Sequence, residues 1–237
     1  MTTASGLETV RKPVYWRSES AEGGFVATGR QFDLVETMAF DPQGGIAELD
    51  RHLDRLRNSA AALDFAFDRH EARNELQAAT FRAGPSVVRL LLSPSGAMAI
   101  ELKDVPPPPP EPVAVALRRH PLAAGDPRLG HNVSDRILAN AARDAHGAFE
   151  TLFCDDAGFL TEGSATSLFV QQGGRMLTPP LKRGVRAGVL RARLLETGEA
   201  VEADLQPADL AGGFLIGNSV TGLIRGVLVS ANSGAGV

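Results

Sequence analysis

The sequence predicts an α+β protein built from two lobes. Short apolar runs typical of strands are interleaved with segments of helical period, without the regular strand–helix–strand rhythm of a parallel sheet. Residues 106–110 are five consecutive prolines, which favour an extended conformation and cannot donate hydrogen bonds to a sheet. We therefore predict a small α/β lobe at residues 25–105, a stiff connector at 106–112 and a larger, β-rich lobe at 113–237. Residues 1–24 are predicted to be a mobile N-terminal segment.

Before the connector, the pattern of apolar residues predicts two helices within a set of strands. Leucines and alanines recur every three or four positions between Leu49 and Leu63, which is the period of a helix with one buried face. Further on, Ser-Pro-Ser-Gly separates two apolar runs and is typical of a hairpin turn. The predicted elements are a strand at 32–40, helices at 50–63 and 69–82, and strands at 87–92 and 97–102.

After the connector, short strands dominate. Gly173 and Gly174 form a turn signal between two apolar runs, and Gly198 is placed to end a helix. Ser134 and Asp135 are suitable residues to begin another helix. The predicted elements are strands at 113–117, 151–154, 167–171, 175–177, 214–216 and 226–229, and helices at 134–145 and 189–196.

The composition is that of an ordinary globular protein and excludes several functions. The chain has 237 residues and a formal net charge of −4, which is not the basic surface of a nucleic-acid-binding or membrane-surface protein. A single cysteine excludes an intramolecular disulfide framework and a thiolate metal cluster. No apolar run is long enough to span a bilayer, and the first ten residues do not form a signal peptide. We therefore expect a cytoplasmic protein that binds neither nucleic acid nor membrane, and we expect no metal site.

A series of short motifs, weak one by one, occurs in an informative order. The series resembles the class IV (fold type IV) pyridoxal-phosphate enzymes, which include aminotransferases, and it is most similar to 4-amino-4-deoxychorismate lyase. The resemblance covers about residues 30–228. The motifs are Phe-Asp-Leu-Val-Glu-Thr at 32–37, His-Leu-Asp-Arg-Leu at 52–56, Thr-Glu-Gly at 161–163, Ser-Leu-Phe at 167–169, Thr-Pro-Pro-Leu at 178–181, Gly-Val-Leu-Arg at 188–191 and Gly-Asn-Ser at 217–219.

The resemblance implies a two-lobed fold with a pyridoxal 5′-phosphate site between the lobes. It implies that Arg55 holds the cofactor phosphate, a role that suits the guanidinium fork. The turn at Val189 and Leu190 would offer backbone N–H groups to the same phosphate, and Ser219 a hydroxyl. Glu162 would pair with the pyridine nitrogen and keep it protonated. The resemblance also implies a homodimer and a small amino or carboxylate substrate.

The chain departs from the family pattern at its most important position. The family carries its Schiff-base lysine in a segment written His-Lys-Thr-Thr-Asn-Arg, which here reads His-Asn-Val-Ser-Asp-Arg at 131–136. Asn132 stands at the lysine position. An amide is not nucleophilic and does not titrate near neutral pH, so it can neither carry the cofactor as an imine nor move a proton. We therefore expect ordinary lyase or aminotransferase chemistry to be defective, with the cofactor bound non-covalently or not at all.

Other residues near this position leave several mechanisms open. Arg186 stands where the family commonly has a leucine against the cofactor ring, so it either clashes with the ring, binds an anionic ligand or turns to solvent. His131 is a candidate base, because an imidazole titrates near neutral pH. The sequence has three lysines, and Lys182 is the best substitute amine because it lies in the same loop as Arg186.

Three functions remain compatible with the sequence. The first is an aminotransferase or lyase with weakened or rerouted cofactor chemistry. The second is an enzyme on the same scaffold that acts on a small anionic substrate without the cofactor. The third is a non-catalytic binding or regulatory protein derived from the family. Fold alone does not decide among them.

Overall fold

Two β-sheets, one of four strands and one of eight, organise the part of the chain that can be described. The computed structural model describes residues 32–126, 128–135 and 148–229, which all belong to the unit Gln31–Val237. The predicted N-terminal segment lies outside these residues, and so does nearly all of the predicted helix at 134–145. The described residues combine helices with strands, which confirms the predicted α+β class.

The smaller sheet is entirely antiparallel and carries two helices on one face. Its strand order is β2-β1-β3-β4. Alternate residues of its strands, among them Leu34, Met38 and Leu90, are buried against Leu53 and Leu56 of the first helix. The elements are β1 (Leu34–Asp41), β2 (Gly45–Ile46), α1 (Leu49–Leu63), α2 (Arg69–Thr80), β3 (Ser86–Leu92) and β4 (Met98–Asp104).

The larger sheet mixes parallel and antiparallel pairs. Its strand order is β10-β9-β8-β11-β12-β5-β6-β7, and β5 lies parallel to both of its neighbours. Helix α3 (Val189–Glu196) packs Leu190 and Leu194 against Phe169 and Ala200. The strands are β5 (Val113–Arg119), β6 (Glu150–Cys154), β7 (Leu160–Gly163), β8 (Ser167–Gln172), β9 (Arg175–Thr178), β10 (Ala200–Glu202), β11 (Phe214–Asn218) and β12 (Gly222–Leu228). Short 3-10 helices cover Leu181–Arg183 and Pro207–Gly212.

A short stretch from the second half of the chain pairs with the first sheet. The Val35 N–H donates to the Asn132 carbonyl at 2.8 Å, and the Ser134 N–H donates to the Asp33 carbonyl at 2.8 Å. Leu34 and Val133 thus form an isolated antiparallel bridge beside β1. This pairing fixes where residues 131–134 stand relative to the cavity described below. The lobe boundaries proposed from the sequence stay a prediction.

Three strands, β2, β7 and β10, were not predicted from the sequence, and a fourth, β12, is longer than predicted. β2 and β10 have only two and three residues, too few to show a period. β7 contains Thr-Glu-Gly, which is typical of a turn, but it pairs with β6 through an irregular register and is buried. β12 begins at Gly222, four residues before the predicted start. In the described part of the chain, no helix is long and apolar enough to cross a membrane.

We predict that Leu53→Ala destabilises the protein by about 2–5 kcal/mol, because Leu53 is fully buried between α1 and the first sheet. Urea unfolding followed by circular dichroism measures the change. Leu102→Ala is the matched control, since Leu102 is exposed on β4 and its loss should change stability by less than about 0.5 kcal/mol. Equal losses for the two variants would contradict this assignment of the core.

Candidate functional site

A cavity of about 680 Å³ lies between the two sheets and collects most of the predicted site residues. One wall comes from β1, β3 and residues 131–134, which we call the bridge segment. The other wall comes from β7, the turn before α3 and the end of β11. Seven of the nine predicted residues line it. These seven are Arg55, Asn132, Glu162, Arg186, Val189, Leu190 and Ser219.

Arg55 projects from α1 and is held by a buried carboxylate. Its Nε donates to Glu36 Oε1 at 2.8 Å and its Nη2 to Glu36 Oε2 at 2.5 Å. His52 Nδ1 lies 2.6 Å from Glu36 Oε2. The remaining Arg55 nitrogen, Nη1, donates to the Ala187 carbonyl at 3.4 Å and so reaches the opposite wall. Arg55 is therefore presented to the cavity in a fixed orientation.

The ionisation of Glu36 and Arg55 follows from this arrangement. Burial alone would raise the pKa of Glu36, but the charge of Arg55 and the hydrogen bonds from His52 and Arg55 outweigh it and lower the pKa. Burial would lower the pKa of Arg55, and the charge of Glu36 reverses that shift, with a smaller contribution from Glu162. Both groups are charged at neutral pH, and the site keeps a guanidinium facing the cavity.

The turn that begins α3 lies opposite Arg55. The first N–H groups of a helix have no partners within the helix, and Gly188 at the N-cap offers no side chain to accept them. A Cβ on Gly188 would stand 2.7 Å from Ser167 Oγ, so only glycine fits there without displacing its neighbour. Ser219 lies at the same end of the cavity, and its hydroxyl donates to the Thr37 carbonyl at 3.5 Å. This end of the cavity suits an anion.

Asn132 and His131, which belong to the bridge segment beside β1, make different contacts. Asn132 lines the cavity, and its Nδ2 donates to the Val35 carbonyl at 2.7 Å. His131 does not line it; its Nδ1 lies 3.0 Å from Ser59 Oγ on α1, and burial lowers its pKa. His131 instead lines an adjoining pocket, which it shares with Glu162.

Glu162 and Arg186 form an ion pair inside the cavity. Arg186 Nε donates to Glu162 Oε1 at 2.6 Å, and the two side chains are 13% and 7% exposed. Arg186 Nη2 also donates to the carbonyls of Gly163 at 3.0 Å and Ser164 at 3.4 Å. Of the three orientations that the sequence left open for Arg186, the structure has it turned inward onto Glu162.

A second buried carboxylate fixes the loop that follows Glu162. Glu150 is 2% exposed and accepts hydrogen bonds from Thr166 Oγ1 at 2.9 Å and from the N–H groups of Ser164 at 2.9 Å and Ala165 at 3.0 Å. It also accepts from the Ser164 hydroxyl. The carbonyl groups that receive Arg186 are therefore held in place before any ligand binds.

Two of the three lysines, Lys103 and Lys182, lie among the described residues. Lys182 is 69% exposed, pairs with Asp204 at 3.3 Å and lies outside the cavity. Lys103, on β4, lies at its edge together with Arg89, and each of these cations is 3.5 Å from a Glu101 oxygen. Lys103, and not Lys182, is therefore the lysine that borders the cavity among the described residues.

Sequence reasoning missed the residues that support the site. Glu36 and His52 belong to motifs that were recognised, yet neither was given a role. A carboxylate within an otherwise apolar strand was the available signal, because a buried charge requires a partner. Glu150 gave the same signal at the start of β6. The sequence contained no such signal for Arg89 and Lys103, because charged residues on a strand ordinarily face solvent.

Comparison with known proteins identifies the scaffold. The model of the amino-transferase class IV family matches residues 33–228. The chain belongs to this family. A protein of Schizosaccharomyces pombe named as a candidate aminodeoxychorismate lyase is 27% identical over 209 residues, which cover 83% of this chain and 90% of the relative.

Solved structures of class IV proteins share the fold. A candidate amino-acid aminotransferase from Mesorhizobium loti superposes with a TM-score of 0.78 at 34% identity and covers 84% of this chain and 100% of that one. The 4-amino-4-deoxychorismate lyase from Pseudomonas aeruginosa gives a TM-score of 0.70 at 26% identity, covering 89% and 88%. A hypothetical aminotransferase from Mycobacterium tuberculosis, solved in a PLP-bound form, gives 0.72 at 21% identity, covering 84% and 82%. The fold-type-IV architecture predicted from the motifs is confirmed.

The residues present fit one end of pyridoxal phosphate and not the other. Arg55, the turn before α3 and Ser219 form a setting for a phosphate group. At the ring end, Glu162 is engaged by Arg186, and the position facing the cavity on the bridge segment carries an amide that binds the Val35 carbonyl. At this end the cavity therefore has no amine at position 132, and its carboxylate at Glu162 is already paired with Arg186. The described residues also contain no cluster of three potential metal ligands.

We predict that Glu36→Gln destabilises the protein by about 3–5 kcal/mol at pH 7, because it leaves the buried Arg55 charge without its carboxylate. The folded pKa of Glu36 is lowered, so its contribution is present above its unfolded pKa and is lost as the pH falls through the folded value. The stability gap between wild type and variant should therefore narrow below about pH 4. Urea midpoints at pH 7 and at successively lower pH measure it.

Glu196→Gln is the control for this measurement, because Glu196 forms an ion pair with Arg51 at the surface and its side chain is 64% exposed. Its effect should be below about 1 kcal/mol. A gap for Glu36→Gln that stays constant down to acid pH would show that the Glu36 carboxylate is not the source of the stabilisation.

Proposed function

We propose that this class IV protein binds a small anionic molecule in the cavity between its sheets and does not form a Schiff base at position 132. The observation that carries the proposal is the cavity position of Asn132, whose side-chain amide donates to the Val35 carbonyl. An amide offers neither the nucleophile nor the proton carrier that aminotransferase and lyase chemistry needs. Ordinary pyridoxal-phosphate turnover is therefore expected to be defective.

Anion binding is supported by the charges that line the cavity. Four of its described lining residues are cationic and two are anionic; the cations are Arg55, Arg89, Lys103 and Arg186, and the anions are Asp104 and Glu162. Arg55 and the turn before α3 supply hydrogen-bond donors at one end. An anionic substrate or effector, carrying a phosphate or carboxylate group, matches this surface.

Cofactor-independent catalysis on a small anionic substrate, the second function left open by the sequence, receives less support. None of the described residues that line the cavity is a histidine or a cysteine. The one base suggested near Asn132, His131, points to Ser59 instead. We therefore favour a binding role for the cavity, and we keep the expectation of a cytoplasmic location.

We predict that the wild-type protein yields no borohydride-stable adduct with pyridoxal phosphate and no turnover of aminodeoxychorismate or amino-acid donors. The reason is that position 132 has no amine to react with the aldehyde. Visible absorbance after incubation, reduction and desalting measures the adduct, and peptide mass mapping locates it. Lys103→Arg and Lys182→Arg serve as matched variants, since each removes one lysine and keeps its charge.

Two results would contradict the proposal. The first is an adduct in the wild type that disappears with Lys103→Arg or Lys182→Arg, because that lysine would then have replaced the missing amine. The second is turnover at the rates usual for enzymes, on the order of 1–10³ s⁻¹.

We also predict that the protein is a homodimer, as the resemblance to class IV enzymes implies. Sedimentation velocity at micromolar concentration should give the mass of two 25.0 kDa chains. A single species with the mass of one chain would contradict this prediction and leave the cavity proposal standing.

A further inference from the structure

We propose that Arg186 takes the place of a cofactor ring at Glu162, so that the cavity accepts small oxyanions and rejects pyridine phosphates. This inference rests on the anion binding proposed above. Arg186 alone would then decide that the site accepts small oxyanions and excludes pyridine phosphates.

Arg186 and a pyridine ring would compete for one carboxylate, that of Glu162. A protonated pyridine nitrogen is held by an acidic side chain, and Glu162 is the acid that the family pattern provides. In this structure Glu162 Oε1 accepts from Arg186 Nε at 2.6 Å. A ring nitrogen can reach Glu162 only if the guanidinium leaves, and a charge-assisted hydrogen bond within a buried pair is costly to break.

The surroundings of Arg186 provide several hydrogen-bond acceptors for its guanidinium group. Besides Glu162, it has the carbonyls of Gly163 and Ser164 as acceptors. Those carbonyls belong to the loop that Glu150 holds through the Ser164 and Ala165 N–H groups. If Arg186 left, one buried carboxylate and two backbone acceptors would each lose a hydrogen bond at the same time.

The part of the cavity lined by Arg55 stays suited to an oxyanion. Arg55 gives Nε and Nη2 to Glu36, which fixes the plane of its guanidinium. Its Nη1 makes a long contact of 3.4 Å to the Ala187 carbonyl, which a charged ligand oxygen can replace with a shorter bond. The two ends therefore act differently: the Arg55 end accepts a phosphate group, and the Arg186 end excludes the pyridine ring attached to it.

The experiment compares three phosphates by isothermal titration calorimetry. Inorganic phosphate tests the Arg55 end alone. Benzyl phosphate adds a ring without nitrogen, and pyridoxine 5′-phosphate adds a pyridine ring without a reactive aldehyde. The proteins are wild type, Arg186→Leu and the control Arg175→Leu, which removes one exposed arginine on β9 outside the cavity.

For the wild type we expect inorganic phosphate to bind and pyridoxine phosphate to bind no more tightly than benzyl phosphate. For Arg186→Leu we expect pyridoxine phosphate to bind at least about tenfold more tightly than to wild type, because Glu162 becomes available to the ring nitrogen. Inorganic phosphate binding should persist in this variant and reports that the Arg55 end is folded. Arg175→Leu should behave like wild type.

A tenfold preference of the wild type for pyridoxine phosphate over benzyl phosphate would overturn the exclusion, whatever the variant does. Failure of inorganic phosphate to bind the wild type would overturn the oxyanion site and, with it, the anion binding proposed above. Neither result depends on position 132, so a failure here is distinguishable from the appearance of a borohydride-stable adduct. If Arg186→Leu loses phosphate binding through misfolding, the wild-type comparison alone decides.

A lysine placed at position 132 gives an independent measurement. With Asn132→Lys alone, pyridoxal phosphate should be trapped by borohydride at least about tenfold less than with Asn132→Lys combined with Arg186→Leu. The readout is the mass of the reduced adduct on the peptide that contains residue 132. Equal trapping in the single and double variants would show that Arg186 does not exclude the ring.

Discussion

Backbone pairing between residues 33–35 and 132–134 is the constraint from which the cavity follows. Two backbone hydrogen bonds of 2.8 Å join segments about a hundred positions apart and set the register between them. This register fixes residues 131–134 beside the cavity, where Asn132 and Val133 both line it. It places an amide there and turns the neighbouring imidazole toward α1. The chemistry available to the cavity is thus fixed by main-chain geometry before side chains are considered.

Buried charges are the second feature that orders the site. Glu36, Glu150 and Glu162 are each buried, and each accepts a hydrogen bond from a residue at least 14 positions away in sequence. An unpartnered carboxylate in such a setting would cost several kcal/mol, on the order of the penalty for any buried ion. Each carboxylate therefore restricts the conformation of the segments around it.

The sequence predicted most of the fold and much of the site, and its failures have physical causes. The order of short motifs was enough to bring Arg55, Glu162 and Arg186 into one cavity. It did not reveal that His131 contacts α1, because the surroundings of this residue depend on pairing with a distant strand. Nor did it show that Lys182 is exposed while Lys103 borders the cavity. Two residues that are close in sequence within a loop can have side chains that point to different surroundings.

The loop held by Glu150 offers a starting point for redesigning the ligand preference of the cavity. Its Gly163 and Ser164 carbonyls, with the Glu162 carboxylate, form a wall of acceptors whose charge is balanced by one guanidinium. That guanidinium comes from another segment of the chain, so the wall keeps its shape when the guanidinium is replaced. A neutral side chain at position 186 would convert this end of the cavity into a receptor for organic cations, such as an amidine or a protonated heterocycle. The cavity thus contains a set of acceptors that could bind a cation, although its present charges favour an anion.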